Sequence, residues 1–199
     1  MPVRLPRGAE REYLAASGIT AIYVAAIPSG PTLIGTSRDV LRSLIGHRRR
    51  FVGAKITCVY WLRDEREAGL LVREVRASFA QGSEGLLVAN ERTAQRRIEN
   101  TAAHMGIALT DHDTVMIRCR AAVEFIDEKI EQAYAEGNLR WFNSAFRTWR
   151  LEAQRYGRSM SYAEARARLR RHLFREIVTG SYHGVTNTNR PDLFPALEH

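Results

Sequence analysis

Lysine is almost missing from this chain: of its 30 basic residues, 28 are arginines and only Lys55 and Lys129 are lysines. Such a bias follows from GC-rich coding as readily as from phosphate recognition. Cysteine is also scarce. Cys58 and Cys119 sit in apolar periodic segments without metal-type spacing, which excludes a disulfide framework and points to reduced thiols. No apolar run approaches the roughly 20 residues that cross a bilayer. Met1 to Arg11 carries three arginines with no apolar core behind them, unlike a secretory signal. These absences predict a soluble cytoplasmic protein with no membrane partner. No internal repeat is present. Leu197-Glu198-His199 reads as the start of a purification tag and is set aside.

What is present fits a folded protein. Its 199 residues suit one large domain or two small ones, and 45% apolar composition is too high for general disorder. The net charge of +8 suits a polyanionic partner. It is uneven: residues 1–100 carry 16 basic and 10 acidic groups, the remainder 14 and 12.

The first half alternates strand and helix signals. Ile19 to Ile27 is apolar and partly β-branched, closed by Pro28-Ser29-Gly30, and reads as a buried strand. Pro31 to Gly35 is close enough to form a hairpin with it. Thr36 or Ser37 can cap a helix with Val40, Leu41, Leu44 and Ile45 on one face. Lys55 to Leu62 is a third strand. Asp64 opens a helix with Ala68, Leu71, Val72, Val75 and Phe79 on its buried face. The order β-β-α-β-α predicts an α+β fold, with a small mixed sheet of about three strands flanked by helices.

An α-helical bundle is expected to follow. Ser83 to Asn90 reads as a linker holding a short apolar piece, Leu86-Leu87-Val88, and helical patterns run from Glu91. Thr110-Asp111-His112-Asp113 resembles a capping box before the stripe Val115, Met116, Cys119, Val123, Ile126 and Ile130. A second helix carries Phe142, Phe146, Trp149, Ala153 and Tyr156. The S-x-x-E box Ser161 to Glu164 opens a third, with Ala165, Leu169, Leu173 and Ile177. Short turns predict an antiparallel bundle. The expected domains are 1–90, 91–180 and a tail, 181–199.

Ala21-Ile22-Tyr23 in the first strand and Leu33-Ile34-Gly35 in the second are followed by Arg42 and His47 on a helix. A strand and a helix bearing Val72-Arg73-Glu74-Val75 come next. From Gly18 to Phe79 this order and spacing resembles the GIY-YIG nuclease domain of homing endonucleases and of the excision-repair incision subunit. The resemblance implies nucleic acid as partner, DNA before RNA, and a metal-dependent endonuclease. In that family the first-motif tyrosine helps activate water, a helix arginine steadies the phosphate, and one glutamate holds Mg²⁺ with waters. It implies Tyr23, Arg42 and His47 as catalytic residues and Glu74 as the metal ligand. Arg38 and the run Arg48-Arg49-Arg50 would contact nucleic acid.

The sequence departs from the pattern at three places. Ala21 replaces the first-motif glycine and Leu33 the second-motif tyrosine. Ser43 stands where the phosphate-binding arginine falls, with Arg42 one residue early, about 100° around the helix. A catalytically inactive, nucleic-acid-binding or homodimeric scaffold version is the alternative. Two further clusters read as structural. Acids in Asp111-His112-Asp113, near His104, suit a helix's first turn without metal. Arg140, Arg147, Arg150, Arg155 and Arg158 read as a solvated face beside core aromatics.

Overall fold

The structure is a computed structural model and describes residues 3–28, 30–79, 86–87, 89–135, 147–148 and 151–179. Helices α1 (Gly8–Ser17), α2 (Val40–Arg50), α3 (Glu65–Ala77), α4 (Glu91–Met105), α5 (His112–Ala135) and α6 (Tyr162–Thr179) accompany strands β1 (Thr20–Ala26), β2 (Thr32–Ser37), β3 (Lys55–Leu62) and β4 (Thr110–Asp111). The fold is α+β. Its antiparallel sheet has four strands in the order β2-β1-β3-β4, one more than expected, because Thr110–Asp111 pairs with Tyr60 and Trp61. No helix among the described residues is long and apolar enough to cross a membrane.

Contacts divide the chain into two compact units at Arg118/Cys119, inside α5. The sequence reading placed a boundary near residue 90. The first unit runs on because α4 buries Ala94, Ile98 and Ala102 in the same core as Ile22 and Val24 of β1 and Leu71, Val72 and Val75 of α3. Burial of this stripe, not the intrinsic propensity of a 15-residue helix, holds α4 in place.

Strand alternation separates two environments. Ile22 and Val24 face α3 and α4, whereas Tyr23 faces α2. The free edge of β2 is covered in two ways. Thr32 exchanges backbone hydrogen bonds with Leu87 at 3.2 and 2.8 Å, and the Arg76 guanidinium donates to the Ile34 carbonyl, from Nε at 3.1 Å. Both satisfy backbone groups that an open edge would leave available for pairing.

The capping residue of α2 is Asp39 rather than Thr36 or Ser37. Ser37 still belongs to β2, and its Oγ instead accepts the Asp39 N–H at 2.9 Å. Asp39 Oδ1 accepts the Arg42 N–H at 3.1 Å, while Arg11 of α1 donates to the other oxygen, from Nε at 2.9 Å. Burial would raise this carboxyl, but the Arg11 guanidinium and the Arg42 N–H outweigh it and hold it below the usual range. Helix α1 carries no apolar periodicity to read, since only Tyr13 and Leu14 are buried. Another tie was invisible in sequence. Trp61 Nε1 donates to His112 Nδ1 at 3.1 Å, and His112 Nε2 lies 2.8 Å from the Arg4 carbonyl, pinning the amino-terminal segment.

In the second unit α5 and α6 run antiparallel, as the pairing of Arg166 with Glu131 (2.7 Å) and of Arg170 with Asp127 (3.2 Å) requires. Ile126, Ile130, Leu169, Leu173 and Phe174 are buried. The Ser161 box forms as read: Glu164 Oε2 accepts the Ser161 N–H at 2.8 Å and Ser161 Oγ the Glu164 N–H at 3.3 Å. Tyr156, expected on an apolar stripe, is 76% exposed. Its expected stripe-mates Phe142, Phe146 and Trp149, and the tail 181–199, lie outside the described residues.

Candidate nucleic-acid interface

The hairpin register sets Tyr23 of β1 opposite Gly35 of β2. A Cβ on Gly35 would lie 2.5 Å from Tyr23 Oη and 2.7 Å from Cζ, so the phenol occupies space that any other residue would fill. Leu33, two residues along the same strand face, is partly buried and offers no polar atom. From the other side α2 supplies Ser43 and His47, one turn apart. Tyr23 Oη lies 2.7 Å from His47 Nε2, the rings tilted by 52°. The Ser43 hydroxyl, which donates to Ser37 Oγ at 2.8 Å, lies near enough to Tyr23 to act on its pKa. A polar chain Ser37–Ser43–Tyr23–His47 thus runs under the hairpin.

Its electrostatics assign the protons. Burial raises the Tyr23 pKa, only partly offset by the Ser43 hydroxyl and the nearby charge of Arg76. Burial and then the Arg50 charge lower that of His47. Near neutral pH the phenol keeps its proton and the imidazole is uncharged, so Tyr23 O–H donates to Nε2.

A pH dependence of stability follows. His47 is harder to protonate folded than unfolded, so its contribution is present above the ordinary value of 6.5 and fades as pH falls below it. Tyr23 is harder to ionise folded, so its contribution is complete below 10.0 and fades as pH rises above it. Urea midpoints measured across pH should therefore plateau between these values, and His47→Gln should flatten the acid limb.

The other candidate residues fall into two groups. His47, Arg48, Arg49 and Arg50 form the last turn of α2, where the helix dipole favours cations. Arg48 Nε donates to the Ala54 carbonyl at 3.0 Å and Arg50 lies over the Phe51 ring, 5.5 Å from its centre. Arg49 is exposed. This tract adjoins the Tyr23–His47 pair because His47 belongs to the same turn. Arg42 is exposed, and Arg38 is ion-paired with Glu65.

Glu74 is not brought to Tyr23. It lies on α3, across the sheet, half exposed and 3.5 Å from Arg73. Arg76 is the α3 residue whose charge reaches Tyr23, and two residues of helix put Glu74 about 160° away from it. Mg²⁺ held by Glu74 would have this one solvated carboxylate and take water for its remaining ligands, with the Arg73 guanidinium close by. Among the described residues no group of three or more histidines, cysteines, aspartates or glutamates could hold a metal ion. Arg76 was missed in the sequence because nothing in a helical pattern reveals that a side chain turns around a strand edge. Comparison with protein-family models, with curated proteins and with solved structures finds no match for this chain.

Proposed function

We propose that the first unit, residues 3–118, binds the phosphodiester backbone of nucleic acid, DNA before RNA, through the last turn of α2. The observation that carries this reading is three consecutive arginines, Arg48–Arg50, held at a helix C-terminus beside the partly buried Tyr23–His47 pair. Arginine forks match phosphate oxygens and contact them without reading sequence. Arg42 and Arg38 extend the positive surface towards the start of α2, Arg38 after release from its exposed partner Glu65.

Hydrolysis is the second reading, and the Tyr23–His47 hydrogen bond favours it. A water donating to Tyr23 Oη could pass its proton through the phenol to His47 Nε2, generating the nucleophile while the phenol stays neutral. The relay needs no phenolate, which suits a tyrosine with a raised pKa. It lacks an arginine at Ser43 and a carboxylate beside the phenol, and binding without cleavage therefore stands first.

One experiment separates the readings. Labelled single-stranded, duplex and branched DNA and RNA are incubated with the protein in Mg²⁺ or chelator, and binding is titrated in parallel across salt. Binding that weakens steeply with salt, with intact substrate, is the expected outcome, since phosphate contacts release counterions. Cleavage lost in His47→Gln would install the second reading. Absence of binding at low salt would sink both.

A further inference from the structure

Another face of α2 lines a cavity that shares Arg48 with the backbone-binding reading and otherwise lies outside it. Ser43 and His47 point to Tyr23, whereas Leu41, Leu44 and Arg48 line a cavity of about 500 Å³ against the amino-terminal segment and the start of β3. That volume lies within the range of small-molecule sites. Its walls are of two kinds. Leu41, Leu44 and Ile56 supply an apolar surface. Among the described residues, the charged groups lining it are cationic: Arg4, Arg7, Arg48 and Lys55. Lys55 is one of only two lysines in the chain. Glu10, in the first turn of α1, accepts the Arg7 N–H at 3.4 Å and lies 3.7 Å from Arg4.

We propose that this cavity takes a nucleotide bearing a terminal phosphate monoester, free or at the end of a strand, its base against the leucine wall and its phosphate among the four cations. The strand-end form rests on the backbone-binding reading above. An internal phosphodiester carries one negative charge and passes along a surface. A terminal monoester carries about −1.5 to −2 at neutral pH and can enter a recess head-on. Four cations around one cavity suit the second far better than the first. The apolar wall suits a flat base, which a bare inorganic anion would leave unfilled. Arg48 is pre-oriented for this role, because its Nε is already fixed on the Ala54 carbonyl. The amino-terminal wall is itself anchored: Val3 N–H reaches the Ile56 carbonyl at 3.4 Å and the Arg4 carbonyl is held by His112.

The test compares short labelled strands ending in 5′-phosphate, 3′-phosphate or hydroxyl, by fluorescence anisotropy, with free nucleoside monophosphate titrated by calorimetry. Lys55→Gln serves as the variant, since Lys55 is exposed at a strand end and its loss leaves the core intact, which matched melting curves verify. One phosphorylated end should bind roughly tenfold tighter than the hydroxyl end. Lys55→Gln should remove most of that preference and leave hydroxyl-ended binding within about twofold. If strands bind with no preference for a phosphorylated end and the monophosphate does not bind, the cavity proposal fails and backbone binding survives. If only the monophosphate binds, and Lys55→Gln weakens it, the cavity stands as a free-nucleotide site and the backbone reading fails. Binding of neither overturns both. Displacement of bound monophosphate by a fatty acid that binds more tightly overturns the nucleotide assignment of the cavity and leaves backbone binding standing.

Discussion

Changing Arg48, Arg49 and Arg50 together to glutamine is expected to weaken nucleic-acid binding about a hundredfold at moderate salt. Each arginine that neutralises a phosphate contributes close to one unit to the slope of log affinity against log salt. Three lost contacts should therefore flatten that slope by about two to three units, measured by anisotropy across a salt series. The slope is the discriminating readout, since a general loss of folded protein lowers affinity and leaves the slope unchanged. Some stability is lost too, because the three cations sit at the carboxyl end of α2, where each contributes about 0.3–1 kcal/mol. The Arg48 bond to the Ala54 carbonyl also disappears, although Phe51 N–H still closes the helix on the His47 carbonyl at 2.7 Å. An unchanged salt slope in the folded variant would move the interface away from α2 altogether.

Gly35→Ala is expected to destabilise the first unit by about 1–3 kcal/mol, the range for forcing an extra carbon into a packed interior. The new methyl would stand 2.5 Å from Tyr23 Oη, closer than real side chains approach, with rigid ring atoms next to it. The phenol cannot retreat easily: Tyr23 is 4% exposed and hydrogen-bonded to His47. Relief has to come from a shift of the hairpin or a swing of the ring off His47. Chemical denaturation gives the energy. The double variant Gly35→Ala with Tyr23→Ala tests the cause, because removing the ring should make the alanine nearly harmless. A full cost persisting without the ring would place the strain elsewhere in the β2 backbone.

Much of the first unit was legible in the sequence because its signals are local. The strand Lys55–Leu62 is bounded as its β-branched and aromatic run suggests, and Asp64 caps α3 as read, accepting the Arg66 N–H at 2.6 Å. The Ser161 box is another local signal, four residues long. The hairpin also carried its own pairing, since Tyr23 and Gly35 lie on strands joined by a short turn. Helix α1 was missed because two buried residues, Tyr13 and Leu14, leave no periodic trace. Strand β4 was missed because a two-residue strand exists only through its partner, β3.

By itself the sequence determined the α+β class, the order of the main elements, the basic tract and the residues that could meet at a site. It did so because hydrophobic period, capping and charge act over a few residues. The tertiary structure alone decided who meets whom. It put Tyr23 and His47 in hydrogen-bonding contact, left Glu74 on the far flank of α3, turned Arg76 around the β2 edge and brought the amino-terminal segment to α2 and β3 around a cationic cavity. The reason is geometric. Two residues along a helix change a side chain's direction by about 160°, and one residue along a strand changes the face of the sheet. Spacing in the sequence can name candidates for a site, but which of them share it depends on the face that packing turns inward.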